Sequence, residues 1–275
     1  MRAAPADDPA IEGLRGLAAL LVLATHYSRF LTPEPGLWGY ASTGVDLFFV
    51  LSGYVFAPYL LGRPLPLRAH LVRRAFRLYP LYLVALLTYA LLLPEPARWQ
   101  HFGVHLLMAH TLQSTAIAFH YNPAFWSLPP EVEFYLALPL LAWLARRRPG
   151  PALLPAALLL HLLLVLAAAP GDPPDSPRVI ASVHLPGLLV EFLLGAAAAA
   201  LAGRWPGRPR GRLLLAAAAV LGLGLWVFQR HVLGAAPGTV PPWAGGNIGL
   251  LAAAAYALLV AALAGAGHGV GHGVG

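Results

Sequence analysis

Residues 44–61 read GVDLFFVLSGYVFAPYLL, an apolar run in which Asp46 is the single charged side chain. A run of this length predicts a transmembrane helix, because roughly 20 mostly apolar residues cross the hydrocarbon core of a bilayer. The rest of the 275-residue chain has the same character: 59% of its residues are hydrophobic and 11% are charged. Typical soluble domains carry about 25% charged residues. We therefore expect an all-α, polytopic transmembrane helix bundle rather than a soluble protein.

Nine apolar segments, joined by short connections rich in Pro and Gly, fill the chain. Their approximate bounds are 13–31, 41–62, 78–93, 101–118, 132–145, 151–169, 182–203, 213–229 and 246–266. We expect a single transmembrane domain over residues 1–266 and a low-complexity tail rich in Gly and His over residues 267–275. His268 and His272 in this tail could bind a metal ion, but low-complexity sequence accounts for them more simply, and we predict no metal site.

The distribution of arginine predicts the topology. All eighteen basic residues are Arg, the formal net charge is +7, and twelve of the arginines lie in three predicted loops at residues 63–77, 146–148 and 204–212. The positive-inside rule places such loops in the cytoplasm, so an even number of crossings must separate them. Segment 101–118 is the most polar of the nine, and we expect it to be re-entrant or buried. Its histidines would then line a polar cavity open to the outer side. About eight spans then remain, in the cell (inner) membrane, with both chain ends cytoplasmic.

Composition also excludes several kinds of function. Basic charge often indicates nucleic-acid binding. Here it is concentrated in loops between apolar segments, so we expect the lipid bilayer as a partner and no nucleic acid. The chain has no Cys, which excludes a disulfide, a thiol nucleophile and a thiolate metal site. Residues 1–10 are polar and acidic rather than basic, so they do not resemble a cleaved signal peptide.

Two ionisable residues lie on the first predicted helix. Arg15 and His26 are eleven residues apart, which is nearly three full turns, so both point the same way and are separated by about 16 Å along the axis. We expect Arg15 near the cytoplasmic mouth and His26 near mid-bilayer, where an ionisable residue indicates function. The alternative is a histidine that is hydrogen bonded within a helix interface.

Two polar side chains on the second helix leave alternatives open. Asp46 could orient His26, or it could be satisfied by a helix N-terminus, and the sequence favours neither. Ser52 could serve as a nucleophile, although serine in a membrane helix more often packs or donates a hydrogen bond.

Charged residues also stand at the ends of two later helices. Arg73, Arg74 and Arg77 precede the third segment, and positions 73 and 77 share a helix face. Anchoring of the cytoplasmic side by positive charge explains part of this cluster. A phosphate clamp is the more specific interpretation, because Arg binds phosphate bidentately. Glu131 and Glu133 open a later helix, where the helix dipole favours acidic residues.

Four of these blocks, taken in order, resemble the acyltransferase-3 family of bacterial integral membrane acyltransferases, of the O-acetyltransferase type. The family pattern has Arg and His on the first helix, then G-V-D-x-F-F-V-L-S-G, R-R-x-x-R-x-x-P and W-S-L-x-x-E-x-x-F-Y. The matching residues are Arg15 and His26, Gly44 to Gly53, Arg73 to Pro80 and Trp126 to Tyr135. Residues 189–201 resemble a later F-L-x-G helix. Family members usually continue into an S-Y-x-x-Y-L-x-H helix and one more span, so we expect this domain to be C-terminally incomplete.

The resemblance implies transfer of an acyl group, often acetyl, from cytoplasmic acyl-CoA to a hydroxyl of a carbohydrate, a lipid-linked glycan or a similar cell-surface acceptor. Acyl-CoA (acetyl-CoA) is then the donor substrate, and no metal is required. On this interpretation Arg73, Arg74 and Arg77 hold the CoA phosphates, and Arg15 steers the donor into the bundle.

The resemblance also implies chemical roles for three residues. His26 would be the general base for the acceptor hydroxyl or a transient acyl carrier, and Asp46 or Glu131 would orient it. A non-catalytic or transporter-like membrane protein is the alternative, because buried His and Arg also mark proton relays and substrate paths.

Overall fold

The computed structural model describes residues 8–31, 36–147, 152–167, 175–204, 210–235, 239–240 and 242–264. Across these ranges the chain forms helices and turns and no strand. The α-helices are α1 (Pro9–Leu31), α2 (Gly44–Leu60), α3 (Leu67–Leu92), α4 (Phe102–Leu106), α5 (Thr115–Ala118), α6 (Leu128–Ala145), α7 (Leu153–Ala167), α8 (Pro177–Ser182), α9 (Leu185–Arg204), α10 (Arg210–His231) and α11 (Pro242–Leu263). Short 3₁₀ helices cover Gly36–Thr43, Ala97–Trp99 and Pro123–Ser127.

Several of these helices have the length and composition needed to cross a membrane. Within the described ranges, five stretches meet both conditions: Gly36–Leu60, Leu67–Leu92, Pro177–Gly203, Arg210–His231 and Ala244–Leu263. Three further helices, α1, α6 and α7, have 23, 18 and 15 residues. The predicted all-α membrane bundle is confirmed, and the total of about eight spans stays a prediction.

The polar segment 101–118 does not form a continuous helix. It contains α4, of five residues, and α5, of four residues, joined by turns. Met108 adopts a left-handed backbone with φ of 56°, which interrupts any longer helix. At about 1.5 Å per residue neither short helix can cross a bilayer. This geometry agrees with the expectation that the segment does not span as one helix.

The first arginine cluster lies in a helix, so its prediction as a loop is wrong. Helix α3 begins at Leu67, eleven residues before the predicted apolar segment. Arg73, Arg74 and Arg77 therefore sit in its early turns. The reason is that arginine is a good helix former and no Gly or Pro occurs between Leu67 and Pro80. Hydropathy marked only the apolar part of this helix.

Helices α2 and α9 cross at very short range in the centre of the bundle. A Cβ atom on Gly53 would lie 1.7 Å from the carbonyl oxygen of Phe192, and one on Gly195 would lie 1.9 Å from that of Val50. Small residues permit such backbone approach between membrane helices. The Phe192 ring also stacks on Phe134 of α6, with centroids 4.1 Å apart. The crossing therefore fixes α2, α6 and α9 relative to one another.

Candidate active site

A cavity of about 190 Å³ gathers residues from α1, α2, α3 and α6. Its polar lining is Arg15, Ser52, Arg74, Arg77, Glu131 and Tyr135, and its apolar lining is Phe48, Leu51, Val55, Phe56 and Leu78. We call it the arginine cavity. Four of the residues selected from the sequence, two from the arginine cluster and one each from α1 and α6, thus meet in one place.

Arg15 brings a charge that is only partly balanced. Its guanidinium forms an ion pair with Glu12, one turn earlier on α1. The Glu12 side chain is 54% exposed, so solvent weakens this pairing. Arg15 itself is half-buried, between Leu14 and Ala18, which face the core. Its charge can therefore act on a ligand in the cavity.

Arg74 lies over two aromatic rings. Its guanidinium carbon is 5.1 Å from the centre of Phe56 and 5.6 Å from that of Tyr135, within the range of cation–π attraction. Its Nε is buried and has no hydrogen-bond partner in the part of the chain that the structure describes. A buried donor of this kind costs about 1–3 kcal/mol, so it favours a ligand that supplies an acceptor.

The third helix turns Arg74 and Arg77 to the cavity, and Arg73 to the outside. Arg73 is exposed and does not belong to the lining. Positions three apart and four apart both share a helix face, so the sequence could not decide between the pair 74 and 77 and the expected pair 73 and 77. Packing of Arg74 against Phe56 of α2 settles it.

Glu131 is the acidic group of the arginine cavity. It stands in the first turn of α6, where the helix dipole favours a carboxylate. Its Oε1 accepts hydrogen bonds from the hydroxyl of Tyr135 and, at 3.3 Å, from Ser52 Oγ. Ser52 therefore has the hydrogen-bonding role that serine most often has in a membrane helix.

His26 lies away from this cavity, five residues before the end of α1, and is half-buried. The neighbouring Thr25 donates a hydrogen bond of 3.1 Å to the carbonyl of Trp38, in the 3₁₀ helix that precedes α2. Gly44, the first residue of α2, packs on α1 at Val22. His26 is therefore near the end of the bundle where α2 begins, whereas the arginine cavity lies beside the middle of α2.

Asp46 belongs to a buried acidic pair that the sequence analysis missed. It lies beside Glu191 of α9. A Cβ atom on Gly249 would lie 2.6 Å from Asp46 Oδ1 and 3.4 Å from Glu191 Oε1, so α11 closes over the pair. Glu191 is 1% exposed. The sequence does show Glu191 as a carboxylate inside a long apolar run, and an ionisable residue in such a run is a candidate functional residue.

Two histidines of segment 101–118 are packed inside the protein. The rings of His105 and His110 stack with centroids 4.3 Å apart, and both side chains are 0% exposed. The prediction that the histidines of this segment line an open cavity is wrong for these two, because the turn at Met108 folds both rings inward. Burial lowers the pKa of His105 and lowers that of His110 to about 4, so both are neutral at pH 7.

Among the residues that the structure describes, no group of three or more His, Asp or Glu side chains is placed to hold a metal ion. His268 and His272 lie outside the described residues.

Comparison with known proteins gives one family and several relatives. The model of the acyltransferase domain family called acyltransferase-3 matches residues 8–270. Acyltransferase MdmB of Streptomyces mycarofaciens is 30% identical over 242 residues, which cover 76% of this chain and 62% of that protein. Peptidoglycan O-acetyltransferase OatA of Listeria monocytogenes is 30% identical over 151 residues, which cover 48% of this chain and 23% of that protein. This chain thus spans less than two thirds of the length of these relatives. No solved structure matches it.

Proposed function

We propose, since the chain belongs to the acyltransferase-3 family of integral membrane proteins, that it transfers an acyl group from acyl-CoA to a hydroxyl of a carbohydrate or other cell-surface acceptor. Acetyl is the group we expect, because one relative is named as an O-acetyltransferase. The donor, the acceptor and the location in the inner membrane are all part of the proposal.

The convergence of Arg15, Arg74 and Arg77 on one cavity carries this proposal. Three guanidinium groups face a single lining carboxylate, Glu131, so the cavity has an excess of positive charge. Ionisable groups at membrane depth pair with one another or mark a ligand path. Guanidinium groups bind phosphate oxygens in bidentate geometry. The phosphates of CoA supply the charge and the acceptor oxygens that this cavity favours.

The positions of the cavity and of His26 suggest a path for the donor. The basic start of α3 belongs on the cytoplasmic side by the positive-inside rule, so CoA enters from the cytoplasm. Arg15 and His26 are separated by about 16 Å along α1. The extended pantetheine arm would lie along this helix, with its phosphates at Arg74 and Arg77 and its thioester near His26.

His26 can carry the transfer in either of two ways. As a general base it takes the proton of the acceptor hydroxyl while the hydroxyl oxygen attacks the thioester carbonyl, and the departing CoA thiolate then receives a proton. As a nucleophile its ring nitrogen first attacks the thioester carbonyl and expels the CoA thiolate; the acceptor hydroxyl oxygen then takes the acyl group from the nitrogen, and the hydroxyl proton passes to the thiolate. Asp46, in the first turn of α2 near the end of the bundle where His26 lies, is the candidate for orienting the imidazole. Glu131 lies beside Arg15 in the arginine cavity and would act on the bound donor rather than on the imidazole.

The decisive experiment compares arginines on one helix. Arg74→Ala and Arg77→Ala should each raise the KM for acetyl-CoA, because loss of a charge-assisted hydrogen bond costs about 1.5–3 kcal/mol, roughly 10- to 100-fold in affinity. Arg68→Ala is the matched control, since Arg68 is exposed on the same helix and lies outside the cavity. Acetyl-CoA turnover and CoA binding are measured on protein purified into nanodiscs.

Three outcomes would contradict the proposal. Equal effects of Arg68→Ala and Arg74→Ala on the KM would mean that the arginines attract the anionic donor only through the net positive charge of the helix. Unchanged CoA affinity in both cavity variants would leave Arg74 and Arg77 as topology anchors. A wild-type protein that neither binds nor turns over acetyl-CoA would favour the non-catalytic or transporter-like alternative.

A further inference from the structure

Helix α6 carries two glutamates near its start that face different neighbours. Glu131 faces the arginine cavity, where it accepts a hydrogen bond from Ser52 of α2. Glu133 faces the start of α9. Two residues along a helix correspond to a rotation of about 200°, so the two carboxylates point to nearly opposite sides of one rigid element. Any rotation of α6 moves both together.

Glu133 uses both of its oxygens to hold α9. Its Oε2 accepts the backbone N–H of Leu185 at 2.8 Å, and its Oε1 accepts a hydrogen bond from Nδ1 of His184. Leu185 is the first residue of α9, and the first N–H groups of a helix have no partner within it. A carboxylate from α6 therefore caps α9 from outside, where the positive end of the helix dipole favours it.

The surroundings make this contact directional and partly dehydrated. The His184 side chain is 5% exposed and that of Glu133 is 32% exposed. The Phe134 ring of α6 also stacks on Phe192 of α9, but this contact is apolar and does not fix a rotation as sharply as two hydrogen bonds do. On the far side of α6, Nε2 of His70 hydrogen bonds to the carbonyl of Tyr135 at 3.1 Å.

We propose that Glu133 is a positioning residue for the reaction. By capping α9 it fixes the rotation of α6, and this rotation places Glu131 and Tyr135 in the arginine cavity. The inference rests on the proposed acyltransferase function and adds to it a residue that touches neither donor nor acceptor. Glu133 acts through Glu131, so its effect on turnover should depend on whether Glu131 is present.

A double-mutant cycle tests this dependence. Glu133→Ala should lower kcat by up to about 10²-fold, which is the scale of loss that a misplacement near 1 Å causes. The KM for acetyl-CoA should stay within about twofold of wild type, a difference below about 0.5 kcal/mol. Glu133→Gln, which keeps the acceptor oxygen, should recover most of the loss. In a Glu131→Gln background the same alanine change should cost nothing further. An equal loss in both backgrounds, or no recovery with glutamine, would overturn the proposal.

A second readout does not depend on activity. Because the chain has no native cysteine, Ser52→Cys and Glu131→Cys can be bridged by the bifunctional thiol reagent dibromobimane. Adding Glu133→Ala should slow this bridging, and adding Glu133→Gln should not. Unchanged bridging in the alanine variant would show that Glu133 does not set the place of residue 131. If the double-cysteine protein bridges as expected with Glu133 present but not with Glu133→Ala, while wild type turns over no acetyl-CoA, the proposed function fails and the positioning role stands.

Discussion

The crossing of α2 and α9 leads to a sharp prediction for Gly53→Ala. The added methyl group would lie 1.7 Å from the carbonyl oxygen of Phe192, whereas ordinary contacts of this kind begin at 3.4 Å. The two helices must therefore separate by roughly 1.7 Å, since a backbone carbonyl cannot swing aside as a side chain can. Ser52, which precedes Gly53 on α2, would move with its helix, and its hydrogen bond to Glu131 would be disturbed.

The magnitude follows from two opposing effects. Overpacking costs about 1–3 kcal/mol and sometimes more, and we expect the upper end here because the contact is with backbone. Alanine recovers roughly 0.5–1 kcal/mol relative to glycine in a helix. A net loss of about 2–3 kcal/mol remains. For a chain of this size 1 kcal/mol shifts Tm by about 2–4 °C, so we expect Tm to fall by roughly 5–10 °C.

Thermal unfolding in one detergent measures this shift, with Gly222→Ala on α10 as the matched control. No atom lies within 4 Å of a Cβ built on Gly222, so this variant should unfold at or slightly above the wild-type temperature. Acetyl-CoA turnover at a temperature where both variants are folded should fall in Gly53→Ala alone. A Tm for Gly53→Ala within about 2 °C of the control, less than 1 kcal/mol on this scale, would refute the close crossing.

Three further predictions concern other parts of the molecule. His26→Ala should abolish transfer while the protein stays inserted, and near-wild-type turnover would remove His26 from the mechanism. In the Cys-free chain, a cysteine near Tyr121, for example at the exposed Phe119, should react with an impermeant thiol reagent from outside, and one near Arg147 should not. The reverse pattern would mean that segment 101–118 spans. Burial lowers the pKa of His110 to about 4 from a usual 6.5. Between these two pH values the unfolded chain therefore binds more protons than the folded one. The free energy of unfolding should fall by up to about 1.4 kcal/mol per pH unit as the pH is lowered from 6.5 towards 4. Unfolding of wild type and His110→Gln at several pH values measures this slope, which should be shallower in the variant; equal slopes would contradict the assignment.

Much of the candidate site could be predicted from residue types and spacing. Arg15 was selected as a charged residue on an apolar helix, Arg74 and Arg77 as part of a phosphate clamp, and Glu131 from the family resemblance. The structure brings all four to one cavity. The roles of His26 and Asp46 stay predictions. His26 lies near another end of the bundle, and Asp46 pairs with Glu191 rather than lining the cavity.

The class of the protein follows from its amino-acid sequence alone, because a run of roughly 20 apolar residues has few alternatives to a membrane helix. The sequence also determines the order of the helices and the residues that carry charge.

Which helix faces meet depends on tertiary packing. The choice of Arg74 over Arg73, the carboxylate pair of Asp46 and Glu191, and the capping of α9 by Glu133 all depend on how distant helices are rotated against each other. That rotation is set by packing between residues far apart in sequence, such as the backbone contact of Gly53 with Phe192, and no local pattern records it.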